Sequence, residues 1–208
     1  MAEYRGATTD PVNGTENMNR IQPLDPASAT GESRRPLAVV QSKLGIVPNL
    51  TRVLAHAPAA LDGYLSFSGA LAGGSLAAKV REQISLTVAE SNLCGYGLSM
   101  HAFIGGTLGL TADEIADARH ANAATGKTDA VLKLARSVVM QRGEISDADL
   151  ASARASGVTD EEIVETVANV ALNIFTNYMN HVARTVVDFP DVKPGNGYPP
   201  RRASSSGS

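Results

Sequence analysis

Between residues 35 and 192, apolar side chains return every three or four positions in almost every segment, and no stretch shows the period-two alternation of a half-buried strand. The pattern predicts an all-α domain of six to eight helices. Pro48 is placed to open a helix through "NLTRVLAHA", and Pro58 to open the next, "AALDGYLSFSGALAG"; proline's fixed φ suits a first turn, where its missing N–H costs nothing. A third helix covers about 76–92, with Leu76, Val80, Ile84, Val88 and Leu93 marking one apolar face. Two later segments, "GLTADEIADARH" (109–120) and "GVTDEEIVETVA" (157–168), each carry a glycine that ends the preceding helix and a threonine followed three residues on by glutamate. Thr111 with Glu114 and Thr159 with Glu162 are capping boxes, and good helix starts resemble one another without any duplication. Further helices are expected over 127–142 and 146–155, and a long last one from 160 to about 187, stopped before Pro190.

Residues 1–34 mix Gly, Pro, Thr, Asn and Asp without a sustained period, and "KPGNGYPPRRASSSGS" (193–208) is poorer still in core formers, so both are expected to be flexible tails. Aromatic residues make up only 4% of the chain and tryptophan is absent, so the core must be built from Ala, Leu, Val and Ile at short distances. Small residues such as Ala70, Ala72, Gly73 and Gly74 would let helices approach closely. A net charge of −3, with no block of Lys and Arg, argues against nucleic acid as a partner. Apolar runs such as "GALAGGSLAA" (69–78) are broken well short of the roughly 20 residues a membrane span needs. The N-terminal stretch has no basic start followed by an apolar run, so the sequon Asn13-Gly14-Thr15 carries no weight. One cysteine allows no internal disulfide, and a cytoplasmic location is expected. The four histidines are far apart and the thiol stands alone, so neither metal nor cofactor is expected.

The chemistry concentrates in "NLCGYGLSMHAFIGG" (92–106). If a helix begins just after Cys94, its free N–H groups and positive dipole end favour a thiolate there. Gly97 and His101 are one turn apart, so His101 could exchange a proton with a group bound at position 97. Glu82 lies on the preceding helix, and a tight turn near 92–95 would bring it to the second helix from an antiparallel neighbour. Each residue also has a plainer reading. Cys94 could be a small buried hydrophobe, His101 a core histidine, Glu82 an exposed charge beside Arg81, and the glycines around Tyr96 a relief of crowding. His181 is one turn from Asn177 and could join the same pocket, a subunit contact or the core; His56 and His120 belong to surfaces or helix ends.

"VREQISLTVAESNLCGYGLSMHAFIGG" resembles the core motif of the carboxymuconolactone decarboxylase and alkylhydroperoxidase D family, in which a glutamate and an Ala-Glu stretch precede Cys-x-x-Cys and a histidine four residues after the second cysteine. "VANVALNIFTNYMNHVARTVVDFPDV" (167–192) is similar to the last helix of that family's peroxidase-related branch. The resemblance implies an alkylhydroperoxidase D-like helical domain over 35–192 and a homo-oligomer. By position, Glu82 matches the proton-relay glutamate, Cys94 the first cysteine, Tyr96 a position often polar or aromatic, and His101 the histidine of the motif.

Gly97 departs from the pattern, because the second cysteine is the one that attacks peroxide in alkylhydroperoxidase D and the first resolves it. With no sulfur at 97 the two-cysteine cycle cannot run. What the resemblance then implies is an altered antioxidant oxidoreductase, in which Cys94 itself is oxidised by a small hydroperoxide to sulfenic acid and recycled by an external thiol. That route needs Cys94 to open on the pocket. A second reading follows the decarboxylase side of the family, with Glu82 and His101 as an acid–base pair on a small carboxylated or lactone substrate and Arg81 as a possible carboxylate anchor. A third is a non-catalytic oligomeric member.

Overall fold

The computed structural model describes residues 19–195. Among them are nine α-helices and no strand: α1 (Arg34–Leu44), α2 (Asn49–Leu54), α3 (Pro58–Ala72), α4 (Ala78–Ser91), α5 (Gly95–Thr107), α6 (Ala112–Arg119), α7 (Gly126–Gln141), α8 (Asp147–Ala155) and α9 (Asp160–Ala183). The expected sequon and the segment from 196 onward lie outside the described residues.

Helix α4 is the centre. Its eight consecutive residues from Gln83 to Glu90 are all buried, because α5, α6, α7 and α9 all pack on it. A helix covered on every side needs its polar groups satisfied internally. The Thr87 hydroxyl lies 2.6 Å from the Ala118 carbonyl of α6 and 3.0 Å from that of Gln83, and Glu90 pairs with Arg119 at 2.7 Å. One core cluster, including Ile84, Leu86, Leu98, Leu132 and Val170, joins α4 to α5, α7 and α9. A second gathers Leu37, Leu50, Leu54 and Leu61 from α1–α3 against Cys94, Tyr96 and Met100 at the start of α5.

The local signals act where expected. Pro58 is the first residue of α3, and Thr111 and Thr159 cap α6 and α9 in complete capping boxes. Gly109 and Gly157, two residues before those caps, have φ of +85° and +84°. Ser146 with Asp149 forms a further box that the sequence reading did not single out.

Several boundaries differ. Helix α2 stops at Leu54, with Pro48 as its N-cap. Helix α9 ends at Ala183, because Arg184 turns left-handed and Thr185 N–H closes on the Asn180 carbonyl at 3.1 Å. Leu93 does not extend the α4 face; it sits at φ +55° in the turn, half exposed. Of the small residues, Gly74 is the one in close approach, since a Cβ there would collide with the Glu165 carboxylate, whereas Ala70 and Ala72 are exposed.

Residues 19–33, expected within a flexible tail, are held by polar contacts that hydrophobic periodicity does not register. Arg20 N–H donates to Ala183 O (2.6 Å), Asn19 Oδ1 accepts from Val186 N–H (2.8 Å), and Arg52 Nε reaches Leu24 O at 2.7 Å. His56 Nε2 lies 2.7 Å from Gln22 O. At the other end Gly195 N–H donates to Glu90 Oε1 at 2.6 Å, three residues past the expected boundary.

Candidate active site

The α4–α5 hairpin builds the site. Cys94 N–H bonds Ala89 O at 2.8 Å, and the left-handed Leu93 reverses the chain within three residues. The two helices therefore run antiparallel and bring Glu82 of α4 against His101 of α5. His101 Nδ1 lies 2.8 Å from Glu82 Oε2. A carboxylate only accepts, so Nδ1 carries the proton and Nε2 of the neutral ring keeps a lone pair. Nε2 has no partner among the described residues and is not sealed from solvent. His101 and Glu82 both line a cavity of about 370 Å³.

The cavity lies between the α1–α3 layer and α4, α5 and α9. Leu50, Leu65, Leu71, Met100 and Ile104 supply its apolar wall. The polar wall is Ser85, Asn169, Asn173 and Thr176, with Arg81 as its cation. Most of that wall's donors are already committed. Asn173 Nδ2 donates to Ser85 Oγ (3.0 Å) and Asn169 O (2.9 Å), Ser85 Oγ to Arg81 O (2.9 Å), and Thr176 Oγ1 to Asn173 O (3.1 Å). Asn173 Oδ1 is left as an acceptor, and the chief donors open to a substrate are the second Nδ2 proton of Asn169, the Arg81 guanidinium and the Tyr64 hydroxyl.

Tyr64 was not found by sequence reasoning. It lies on the inward stripe of α3 with Leu61 and Leu71, and a tyrosine on such a stripe was the available signal. Burial, and then the nearby Glu82 charge, push its phenol up to about 12, so it stays a donor. Asn169, Asn173 and Asn180 were also missed. With Asn177 they recur at helical spacing on the buried face of α9, a regularity legible in "NVALNIFTNYMN".

The other expected site residues do not enter the cavity. Cys94 is 1% exposed and packs in the α1–α3 cluster. Its sulfur accepts from Gly97 N–H at 3.4 Å and its thiol points to Asn177 O at 3.9 Å. Burial pushes the thiol above its ordinary value, outweighing the N–H bonds that pull it down. Gly97 does not open a path to the sulfur: a Cβ there would stand 2.7 Å from Asn177 Oδ1, 3.1 Å from Ala89 Cβ and 3.5 Å from Cys94 Sγ. The fully buried Asn177 side chain already occupies that space, with neither amide atom partnered. Tyr96 turns away; its hydroxyl accepts from Leu50 N–H at 3.1 Å and its ring stands edge-on to Phe189. His181 is exposed and bonds Asn92 O at 2.9 Å, bracing the α4–α5 turn. No group of three or more His, Cys, Asp or Glu among the described residues could hold a metal.

Residues 58–139, from the start of α3 to the end of α7, match the carboxymuconolactone decarboxylase family. Over those residues, less than half of its length, the chain is similar to that family. The matched stretch holds Tyr64, Glu82 and His101, while the asparagine wall of α9 lies beyond it. A solved structure described as an alkylhydroperoxidase AhpD core, an uncharacterized peroxidase-related protein from Ralstonia eutropha JMP134, is 26% identical, with a TM-score of 0.70 over 86% of this chain and 93% of that one. An uncharacterized peroxidase-related protein from Silicibacter sp. TM1040 shares the fold at 21% identity, with a TM-score of 0.71 over 83% of this chain and 94% of that one. The debrominase Bmp8, solved with 2,3,4-tribromopyrrole, shares it at 14% identity, with a TM-score of 0.71 over 83% and 94%. The fold thus carries more than one chemistry. None of the curated proteins matches the chain. No helix of the described residues is long and apolar enough to cross a membrane.

Proposed function

We propose that this protein is a small-molecule enzyme that moves protons with the His101–Glu82 pair, on a substrate carrying a carbonyl, lactone or carboxylate group. One observation carries the reading: the paired His101 imidazole lines a 370 Å³ cavity, while the single thiol is shut out of it. A cavity of that size, mostly apolar with a few convergent polar groups, suits a small ligand. Nε2 of His101 takes a proton from a carbon beside the substrate carbonyl. The C–H electron pair moves onto the carbonyl oxygen, where Tyr64 O–H donates a hydrogen bond to the enolate. Glu82 holds the imidazolium that forms, and the proton returns to carbon without net oxidation.

The thiol reading has one observation in its favour, the Gly97 N–H directed at Cys94 Sγ, together with the peroxidase-related name of a 26% identical relative. Hydroperoxide reduction requires a thiolate that peroxide can reach, and burial opposes both conditions.

The two readings separate in one experiment. The protein is incubated in D2O with a panel of small γ-lactones and β-keto carboxylates, and in parallel with hydrogen peroxide and a sulfenic-acid trap. Deuterium should enter the carbon acid, and His101→Gln should slow this by about 10²–10⁴-fold while Cys94→Ala leaves it intact. Rapid trapping at Cys94, with peroxide turnover lost in Cys94→Ala and no deuterium uptake by any carbon acid, would overturn the proposal.

A further inference from the structure

We propose that the α9 side of the cavity is a subsite for a hydroxyl group, so that the substrate is a hydroxylated carbonyl compound such as a hydroxy lactone; the inference rests on the proton-transfer reading above. The side-chain hydrogen bonds of this wall share one direction. Asn169 Nδ2 donates to Glu165 O at 2.8 Å, Asn173 Nδ2 to Asn169 O at 2.9 Å, and Thr176 Oγ1 to Asn173 O at 3.1 Å. Each side chain bonds back to a carbonyl of its own helix about one turn earlier. A carbonyl only accepts, so these contacts fix which amide atom is the nitrogen and leave the oxygen uncommitted. Asn173 gives its second N–H to Ser85 Oγ at 3.0 Å, and Ser85 gives its own proton to Arg81 O at 2.9 Å.

Donors on this wall are thus spent inside the protein, and acceptors are left over. Asn169, Asn173, Thr176 and Ser85 all line the cavity, and the two asparagines are each 4% exposed. Neither asparagine Oδ1 has a partner among the described residues. Neither is sealed, unlike the amides of Asn177 and Asn180 further along the helix. A ligand held against such a wall must bring donors, because a buried acceptor left unpaired weakens binding. The donor is a hydroxyl rather than an ammonium. Asn169 keeps one N–H that a hydroxyl oxygen accepts and an ammonium cannot, and Arg81 on the same wall repels a cation. Ser85 follows Glu82 on α4 by three residues, ~4.5 Å of helix rise, so one small ligand spans the wall and the His101–Glu82 pair. That pair lies inside the family-matched stretch and the α9 wall outside it; the wall sets which carbonyl compound the pair acts on.

Ligand-observed NMR titrations of the full chain test this with matched pairs: γ-butyrolactone against erythronolactone, and acetoacetate against 4-hydroxyacetoacetate. In a mostly apolar cavity an unmatched hydroxyl weakens binding. The hydroxylated member of each pair should instead bind about 10–100-fold tighter. Asn169→Leu should bring that ratio towards one, and Asn169→Asp, which keeps an acceptor oxygen, should preserve it; circular dichroism checks the fold of each variant. Deuterium uptake from D2O in the same samples reads proton transfer separately. A preference for the hydroxylated ligands without deuterium uptake would support the subsite and sink the proton-transfer reaction. Deuterium uptake with no such preference, or a preference that a folded Asn169→Leu leaves intact, would overturn the subsite. So would failure of both hydroxylated ligands to bind at millimolar concentration.

Discussion

Replacing Cys94 by alanine distinguishes a packed sulfur from a working one. The side chain is 1% exposed among Leu50, Leu54, Leu61 and Met100. Removing its sulfur forfeits about 1 kcal/mol of transfer free energy. The void left behind adds to this, for a total of about 1–2 kcal/mol. In a chain of this length that lowers the midpoint of thermal unfolding by about 2–8 °C. Urea unfolding gives the same quantity independently.

The pH dependence makes the prediction sharper. The folded thiol is raised above its ordinary value of 9.0, so between the two values the unfolded chain has released the proton and the folded chain has kept it. The contribution is complete below 9.0 and is lost as pH rises towards the folded value, at up to about 1.4 kcal/mol per pH unit. The stability gap between parent and Cys94→Ala should therefore narrow as pH rises above 9.0. Taking the difference cancels the buried tyrosines, which both proteins share. A disulfide reagent should find the native thiol unreactive at neutral pH and fully reactive in guanidinium. A native thiol that reacts like free cysteine, or a gap that stays constant across that range, would refute the reasoning.

Gly97→Ala should cost about 1–3 kcal/mol by overpacking, and in an Asn177→Ala background the cost should shrink, giving a coupling of about 0.5–3 kcal/mol in a double-mutant cycle; additive effects would mean that Asn177 does not fill the space at 97. Thr87→Val should cost about 0.5–1.5 kcal/mol in urea unfolding, the net worth of the hydroxyl's bond to the Ala118 carbonyl, because that carbonyl keeps the Ala121 N–H at 3.0 Å; a loss well above that would mean that the hydroxyl braces α4 against α6 beyond this one bond. Glu165 is held below the ordinary carboxylate value by Ser75 N–H above all; its stabilisation is complete above 4.5 and lost as pH falls through the folded value, so Glu165→Gln should flatten the acid limb of the stability curve.

Helix starts were the most legible part of the fold, because a capping box or a leading proline acts within four residues of chain. Boundaries set by distant contacts were not. Nothing local in residues 19–33 announces Asn19 or Gln22 as partners of Val186 and His56, since those contacts span more than thirty residues. The site divides in the same way. The pairing of Glu82 with His101 follows from their positions on two helices joined by a tight turn. The burial of Cys94 does not, because a helix-capping position exposes a side chain or seals it according to what packs above it, and α1–α3 seal this one. Motif position alone therefore favoured the sulfur over the imidazole.

Helix α9 shows why a periodic reading can be right about period and wrong about face. Amphipathic logic would bury Val164, Phe175, Tyr178 and Val182 and leave the asparagines to water. The chain does the opposite, and each inversion has its own chemistry. Asparagines at 169 and 173 lie inward as fixed hydrogen-bonding groups in the cavity wall, and Asn173 spends both N–H groups bracing that wall against α4 and its own helix. Once that face is committed to the site, the apolar residues of the helix have only the outside left. A long unshielded apolar stripe has a hydrophobic cost until something covers it. Ala171→Arg, on the exposed side of the helix, should therefore leave the asparagine wall in place, whereas Asn173→Leu should damage the cavity by removing the donor to Ser85 Oγ.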